Sequence, residues 1–206
     1  MTNFAVIYYS STGNVHQLAE TAAAAGEKAG AQVRLRRAAE LFPPDTVAAT
    51  PAWAEHLAAT ASVPEAALED LEWADALLFG TPTRFGLPAA QLKRYLDTTV
   101  GLSLAGSLSG KVVSSFTSSS GTHSGQESTL LALNNTFYHW GSLIVPAGSV
   151  DPVLSAPANG NPYGVSSVSG NRPGNVGPDN LAAIEVLARR VIGVAAALER
   201  GAAPAR

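Results

Sequence analysis

The chain has 206 residues, a net charge of −3 and no cysteine. A single domain spanning 1–206 fits that length, and such a domain buries roughly 70% of its unfolded surface without needing staples. The missing cysteines exclude disulfides, thiolate metal sites and thiol nucleophiles, and no basic stripe marks a nucleic-acid surface.

The opening MTNFAVIYYS has no charged segment ahead of its apolar run, which is also too short for a secretory leader. Arg189 and Arg190 interrupt the apolar C-terminal stretch, so it does not read as a membrane span. A soluble, cytoplasmic protein without membrane insertion is expected.

In chain order, Phe4–Tyr9 is a continuous apolar run suited to a strand covered on both faces. Asn14–Ala29 reads as a helix, with Val15, Leu18, Ala19 and Ala22 on one side and Gly30 at its end. Gln32–Arg37 alternates apolar and polar residues, as an edge strand does. Residues 38–67 are Ala- and Pro-rich and predict a loop with short helical pieces around 50–61. Ala76–Gly80 is a third strand, followed by the loop TPTRFG and an amphipathic helix over Pro88–Thr98.

Lys111–Thr117 is a fourth strand, followed by SSSGTHSG and a helix over Gln126–Trp140. Ser142–Pro146 reads as a short fifth strand, and 147–178 as a Pro- and Gly-rich surface excursion. Asp179–Leu198 closes the chain as a helix. Strands alternating with helices imply an α/β fold, a doubly wound parallel sheet of five strands in the order 2-1-3-4-5 with helices on both faces. Ligands in such sheets bind outside the carboxyl ends of the strands. Three loops are expected there: Ser10–Asn14, Thr81–Gly86 and Ser118–Gly125.

SSTGN offers three hydroxyls, a glycine for a tight turn and a helix start whose free N–H groups aim back at it. Charge-assisted bonds of ~1.5–3 kcal/mol each would hold a phosphate there with no cation in the turn. The same turn also serves as an ordinary capped helix start. Neither G-x-x-x-x-G-K-[ST] nor G-x-G-x-x-G occurs. A neutral cradle matches one terminal phosphate, which describes FMN better than ATP or NAD.

In TPTRFG, Pro82 sets the backbone direction and Gly86 permits a positive φ. Thr83, Arg84 and Phe85 offer a hydroxyl, a guanidinium and a ring, either around a planar heterocycle or in a plain strand-to-helix turn. SSSGTHSG again sets backbone donors before a helix; it would stabilise an anionic flavin edge or simply face solvent.

Together YYSSTGN, GTPTRFG, SSGTHSGQE and NPYG resemble the flavodoxin-like NAD(P)H:quinone oxidoreductases of the WrbA family, over Phe4 to Leu198. GTPTRFG is the most specific element of the likeness. The resemblance implies a flavodoxin-like fold, non-covalent FMN, NAD(P)H as co-substrate, a quinone acceptor and a homotetramer. By position, Ser10, Ser11, Thr12, Gly13, Asn14 and Val15 would hold the phosphate end. Pro82, Thr83, Arg84, Phe85 and Gly86 would border the ring, and Ser119, Ser120, Gly121, Thr122, His123 and Ser124 its pyrimidine side. His139 matches a family histidine that closes the pocket, sometimes from another chain.

The sequence departs from the family at Thr12, where an aromatic is usual, and at Ser103, where a tryptophan is usual. Each aromatic lost forgoes about 1 kcal/mol of stacking, which implies a wider pocket above the flavin. His123 and Ser124 also replace small glycines.

The function expected is two-electron transfer from NAD(P)H to quinones through FMN by a ping-pong hydride mechanism, with the chemistry on the cofactor and no catalytic side chain assigned. The alternative is a one-electron flavodoxin-type carrier, but carriers are steered by acidic surfaces, and only 14% of this chain is charged. GTHSG and AGSLSG lack the nucleophile-elbow spacing, and the four histidines lack metal-ligand spacing.

Overall fold

The computed structural model describes residues 1–201. Its elements are β1 (Asn3–Tyr8), α1 (Asn14–Lys28), β2 (Gln32–Arg37), α2 (Pro44–Ala48), α3 (Pro51–Ala59), α4 (Leu68–Trp73), β3 (Ala76–Arg84) and β4 (Leu87–Pro88). There follow α5 (Ala90–Asp97), α6 (Val100–Leu104), β5 (Val112–Ser119), α7 (Gln126–Trp140), β6 (Leu143–Ile144), β7 (Val165–Val168) and α8 (Pro178–Gly201).

The sheet runs β2-β1-β3-β5, all parallel, with β6 and β7 sharing the position beyond β5. β6 pairs with Val112 and Val113, while β7 pairs with Phe116 to Ser119. This is the doubly wound order expected, with its fifth strand split in two.

β1 shows how the residues make the layers. Phe4, Val6 and Tyr8 face one side, with Leu18 and Ala22 of α1 and Ile184, Leu187 and Val191 of α8. Ala5, Ile7 and Tyr9 face the other, with Leu92 of α5 and Leu133, Phe137 and Trp140 of α7. Period-two alternation of apolar residues on both sides is what a central strand between two helical layers requires. Small residues set the spacing. A side chain on Gly26 would lie 2.7 Å from the Phe4 ring, and one on Gly80 would lie 2.2 Å from the Phe116 ring.

Two expectations change. Residues 147–178 are not wholly a surface excursion, because Val165, Ser166 and Ser167 are buried strand residues. The chain regains the sheet through Gly164, where a β-carbon would stand 2.4 Å from the Ser115 carbonyl oxygen and 2.9 Å from Leu130. NPYG is therefore a close-approach motif. Likewise TPTR continues β3 rather than forming a loop, and the chain turns only at Phe85 and Gly86, both at positive φ.

The split strand has a functional consequence. The carboxyl end of the fifth position is Val168, so a fourth loop, residues 169–177, joins the three expected at that edge.

Candidate functional site

At the turn after β1, Gly13 caps α1 with φ +94°, and the helix start carries no side-chain cap. Only a residue that tolerates left-handed backbone fits there. The leading N–H groups of α1 thus have no side-chain cap, the arrangement of a helix start that can receive an anion. Ser10 accepts from the Gly13 N–H at 3.1 Å. Asn14 is not the cap. Its amide instead donates to the carbonyls of Arg172 (3.0 Å) and Asn175 (3.2 Å), across to the fourth loop.

The second and third loops interlock through glycine. A side chain on Gly125 would lie 2.6 Å from Gly86 Cα, and one on Gly86, at φ +79°, would lie 2.6 Å from Ser128 Oγ. The Thr83 hydroxyl is taken up inside this junction, accepting from Thr129 at 2.7 Å and lying 3.3–3.4 Å from the Ser124 and Gly125 carbonyls. Gln126 ties the third loop down. Its amide nitrogen donates to Gly121 (2.7 Å) and its oxygen accepts from the Ser124 N–H (3.0 Å).

These loops enclose a cleft of about 570 Å³ lined by Ser10, Ser11, Thr12, Asn14 and Val15 from the first loop, and Pro82, Thr83, Arg84 and Phe85 from the second. Ser119, Ser120 and Ser124 join from the third loop. That volume lies within the range of small-ligand sites, ~300–1,000 Å³. Ser118, the first residue of the third loop, also faces it, as do Ser169, Asn171, Arg172, Thr50 and Ala52, which lie outside the three expected loops. Thr50 and Ala52 belong to the start of α3, in a stretch without periodic pattern.

A cradle without cations is not what the fold builds. The guanidinium of Arg84 donates to the Ser11 hydroxyl at 3.2 Å, and Arg172 lines the same cleft. The turn itself contains no cation, but two arrive from residues distant in sequence. No Asp or Glu lines the cleft, although the chain carries net charge −3.

Gly13, Gly86 and Gly121 shape the loops without lining the cleft, and Thr122, His123 and His139 stand elsewhere. Thr122 and His123 line a separate cleft of about 500 Å³ between the third loop and residues 157–168. The reason lies in the Gln126 and Ser119 contacts to Gly121, which turn residues 122–123 outward. His139 lies at the far end of α7, roughly 20 Å from its start at 1.5 Å per residue, in a shallow cleft with Ser103. It cannot close the main cleft of its own chain.

Behind the Ser10–Asn14 turn, Tyr8 Oη and His16 Nδ1 lie 2.6 Å apart, and His16 Nε2 is 3.2 Å from Glu20. The His56 ring lies 5.2 Å from that of His16, tilted by 58°. Burial, and secondarily the His16 charge, lowers the His56 pKa to about 4. Burial likewise lowers that of His16, with Glu20 opposing. Both rings are held towards the neutral form. Positive charge at the turn comes from the arginines and the helix starts.

Among the described residues, no group of three or more His, Asp or Glu could hold a metal ion, and no helix is long and apolar enough to cross a membrane.

The fold and its cleft at the carboxyl edge define a flavodoxin-like α/β protein. The WrbA-like flavodoxin of Agrobacterium tumefaciens superposes with a TM-score of 0.64 at 24% identity, covering 96% of this chain and 99% of that one. Residues 2–151 match the family described as NADPH-dependent FMN reductase, and the chain belongs to that family. A Deinococcus radiodurans protein named NAD(P)H dehydrogenase (quinone) is 42% identical over 169 residues, covering 82% of this chain and 84% of its own. One of the same name from Geobacter sulfurreducens is 38% identical, covering 95% and 98%. The WrbA resemblance read from the loops agrees with these matches.

Proposed function

We infer that the chain is an FMN-dependent oxidoreductase that takes two electrons from NAD(P)H and delivers them to quinones, in two half-reactions at one open site. The observation that carries this reading is the cleft itself: an uncapped helix start, a row of hydroxyls and two guanidinium groups without a carboxylate, beside the ends of β3 and β5. That donor set fits a phosphate ester joined to a planar, hydrogen-bonding heterocycle. The names of the relatives support the choice of electron donor and acceptor.

Ser10 to Val15 would bind the phosphate through hydroxyls and the α1 N–H groups. Pro82 to Gly86 and Ser119 to Ser124 would hold the ring edge, made rigid by the Gly86–Gly125 contact and by Gln126. FMN, when bound, supplies the hydride chemistry. The cleft residues would orient it, and NAD(P)H and quinone would exchange at the open side of the cleft.

Phe85 stands fully exposed at the rim with φ +54°, a conformation that costs of order 1–3 kcal/mol for a non-glycine residue. Val100, Leu104, Leu131 and Tyr138 are also exposed. Such apolar surface is characteristic of interfaces. We read it as assembly into a homotetramer, in which His139 and the Ser103 region of one copy would border the cleft of another.

Anaerobic mixing of the FMN-loaded protein with NADPH tests the function. Bleaching of the visible flavin absorbance, restored by benzoquinone, is expected. No bleaching with NADPH or NADH would refute it.

A further inference from the structure

The fourth loop is a strap over the phosphate turn. It leaves β7 at Val168, and Ser169 and Gly170 donate to the carbonyls of Ser119 (2.8 Å) and Ser120 (3.1 Å) in the third loop. It then crosses to the first loop, where Gly174 donates to Thr12 O at 2.9 Å and Asn14 grips the carbonyls of Arg172 and Asn175. Positive φ at Gly170, Asn171 and Gly174 folds the strap into a tight hook, and Pro173 fixes φ at its tip. The hook presents Arg172 to the cleft.

Several arginines of this chain have carboxylate partners: Arg34 and Arg36 with Asp70, Arg37 with Glu65, and Arg189 with Glu185. Among the described residues, Arg172 has none, and no carboxylate lines the cleft it faces. A guanidinium held by a braced hook over hydroxyls and an uncapped helix start has one chemical complement, an anion. Arginine suits phosphate because its planar fork can donate two parallel bonds. Thr50 and Ala52, at the start of the nine-residue helix α3, line the same cleft and add the positive end of a second helix.

We propose that Arg172 is a phosphate-binding residue: the strap closes a clamp on the phosphomonoester of FMN, opposite the Ser10–Val15 turn. This rests on FMN occupying the cleft. Arg172 sets affinity rather than chemistry, because it stands at the phosphate turn and not at the ends of β3 and β5, where the ring would lie.

The test measures dissociation constants of FMN and riboflavin, by quenching of flavin fluorescence, for the apoprotein, Arg172→Ala and Arg172→Lys. An exposed ion pair alone gives a few-fold effect and a forked charge-assisted bond more, so Arg172→Ala should weaken FMN by about tenfold. Riboflavin, lacking the phosphate, should bind both proteins equally. Arg172→Lys should fall between them. The FMN difference should shrink near 1 M salt, where the screening length is ~3 Å.

Equal weakening of FMN and riboflavin would overturn the proposal by making Arg172 a structural residue only. An unchanged FMN constant would overturn it too, including the case where Arg172→Ala raises the KM for NADPH alone and so assigns the anion to the dinucleotide. Failure of the unaltered protein to bind FMN would instead remove the cofactor reading on which the proposal stands.

Discussion

Replacing Asn14 by alanine should release the strap without unfolding the protein. Asn14 is buried, donates to the carbonyls of Arg172 and Asn175, and accepts from the Thr12 hydroxyl at 3.2 Å. At a net ~1 kcal/mol per hydrogen bond, losing the two amide bonds costs about 2 kcal/mol. The bonds from Ser169 and Gly170 to the third loop persist, so the cost should fall on local opening of the hook. Native-state hydrogen exchange reads this directly. The Gly174 N–H, which donates to Thr12 O, should exchange about 30-fold faster, the equivalent of 2 kcal/mol. The Phe116 amide in β5 should change far less. An Asn14→Asp variant, which cannot donate, should reproduce the effect. Unchanged Gly174 exchange in both variants would show that the Asn14 amide does not secure the strap.

Three further outcomes follow from packing and titration. Gly80→Ala would place a β-carbon 2.2 Å from the Phe116 ring and should destabilise by about 1–3 kcal/mol in urea unfolding, with partial recovery when Phe116→Leu is added. Glu40 accepts from Tyr9 (2.8 Å), Gln91 (2.7 Å) and Trp53 (3.0 Å), so Glu40→Ala should free the 38–67 segment and red-shift Trp53 emission. Stability should fall as pH drops from about 6.5 towards 4. His56 has a folded pKa of about 4, so the unfolded chain takes up its proton first. At this half-buried site solvent screening limits the loss to about 1 kcal/mol. His56→Gln should flatten that part of the pH–Tm profile, and an unchanged slope would exclude His56 as its source.

Where contacts are local in sequence, the residues themselves were legible. β1 showed as an unbroken apolar run because both its faces are covered, and α7 matched its predicted bounds because Leu130, Leu133 and Phe137 repeat at helical spacing beside left-handed glycines at each end. The three loops could be chosen because parallel topology puts their strand ends together. The fourth was hidden by the fifth strand. With only Leu143 and Ile144 in its first half and the serine-rich VSSV in its second, neither half carries the hydrophobic signal of a central strand. Missing that return also hid the strap and Arg172. No window of sequence could bring Arg172 to Asn14, 158 residues away, or Arg84 to Ser11, 73 away. The outward turn of His123 and the distance of His139 are likewise products of tertiary packing.

The most direct measurement follows the amide NMR shifts of the apoprotein on titration with FMN and, separately, with riboflavin. Both ligands should shift Thr83 to Gly86 and Ser119 to Ser124, and only FMN should shift Ser11 to Val15. Shifts centred instead on residues 157–161 and His123, or an identical pattern for both ligands at Ser11 to Val15, would contradict the binding of flavin phosphate at this turn.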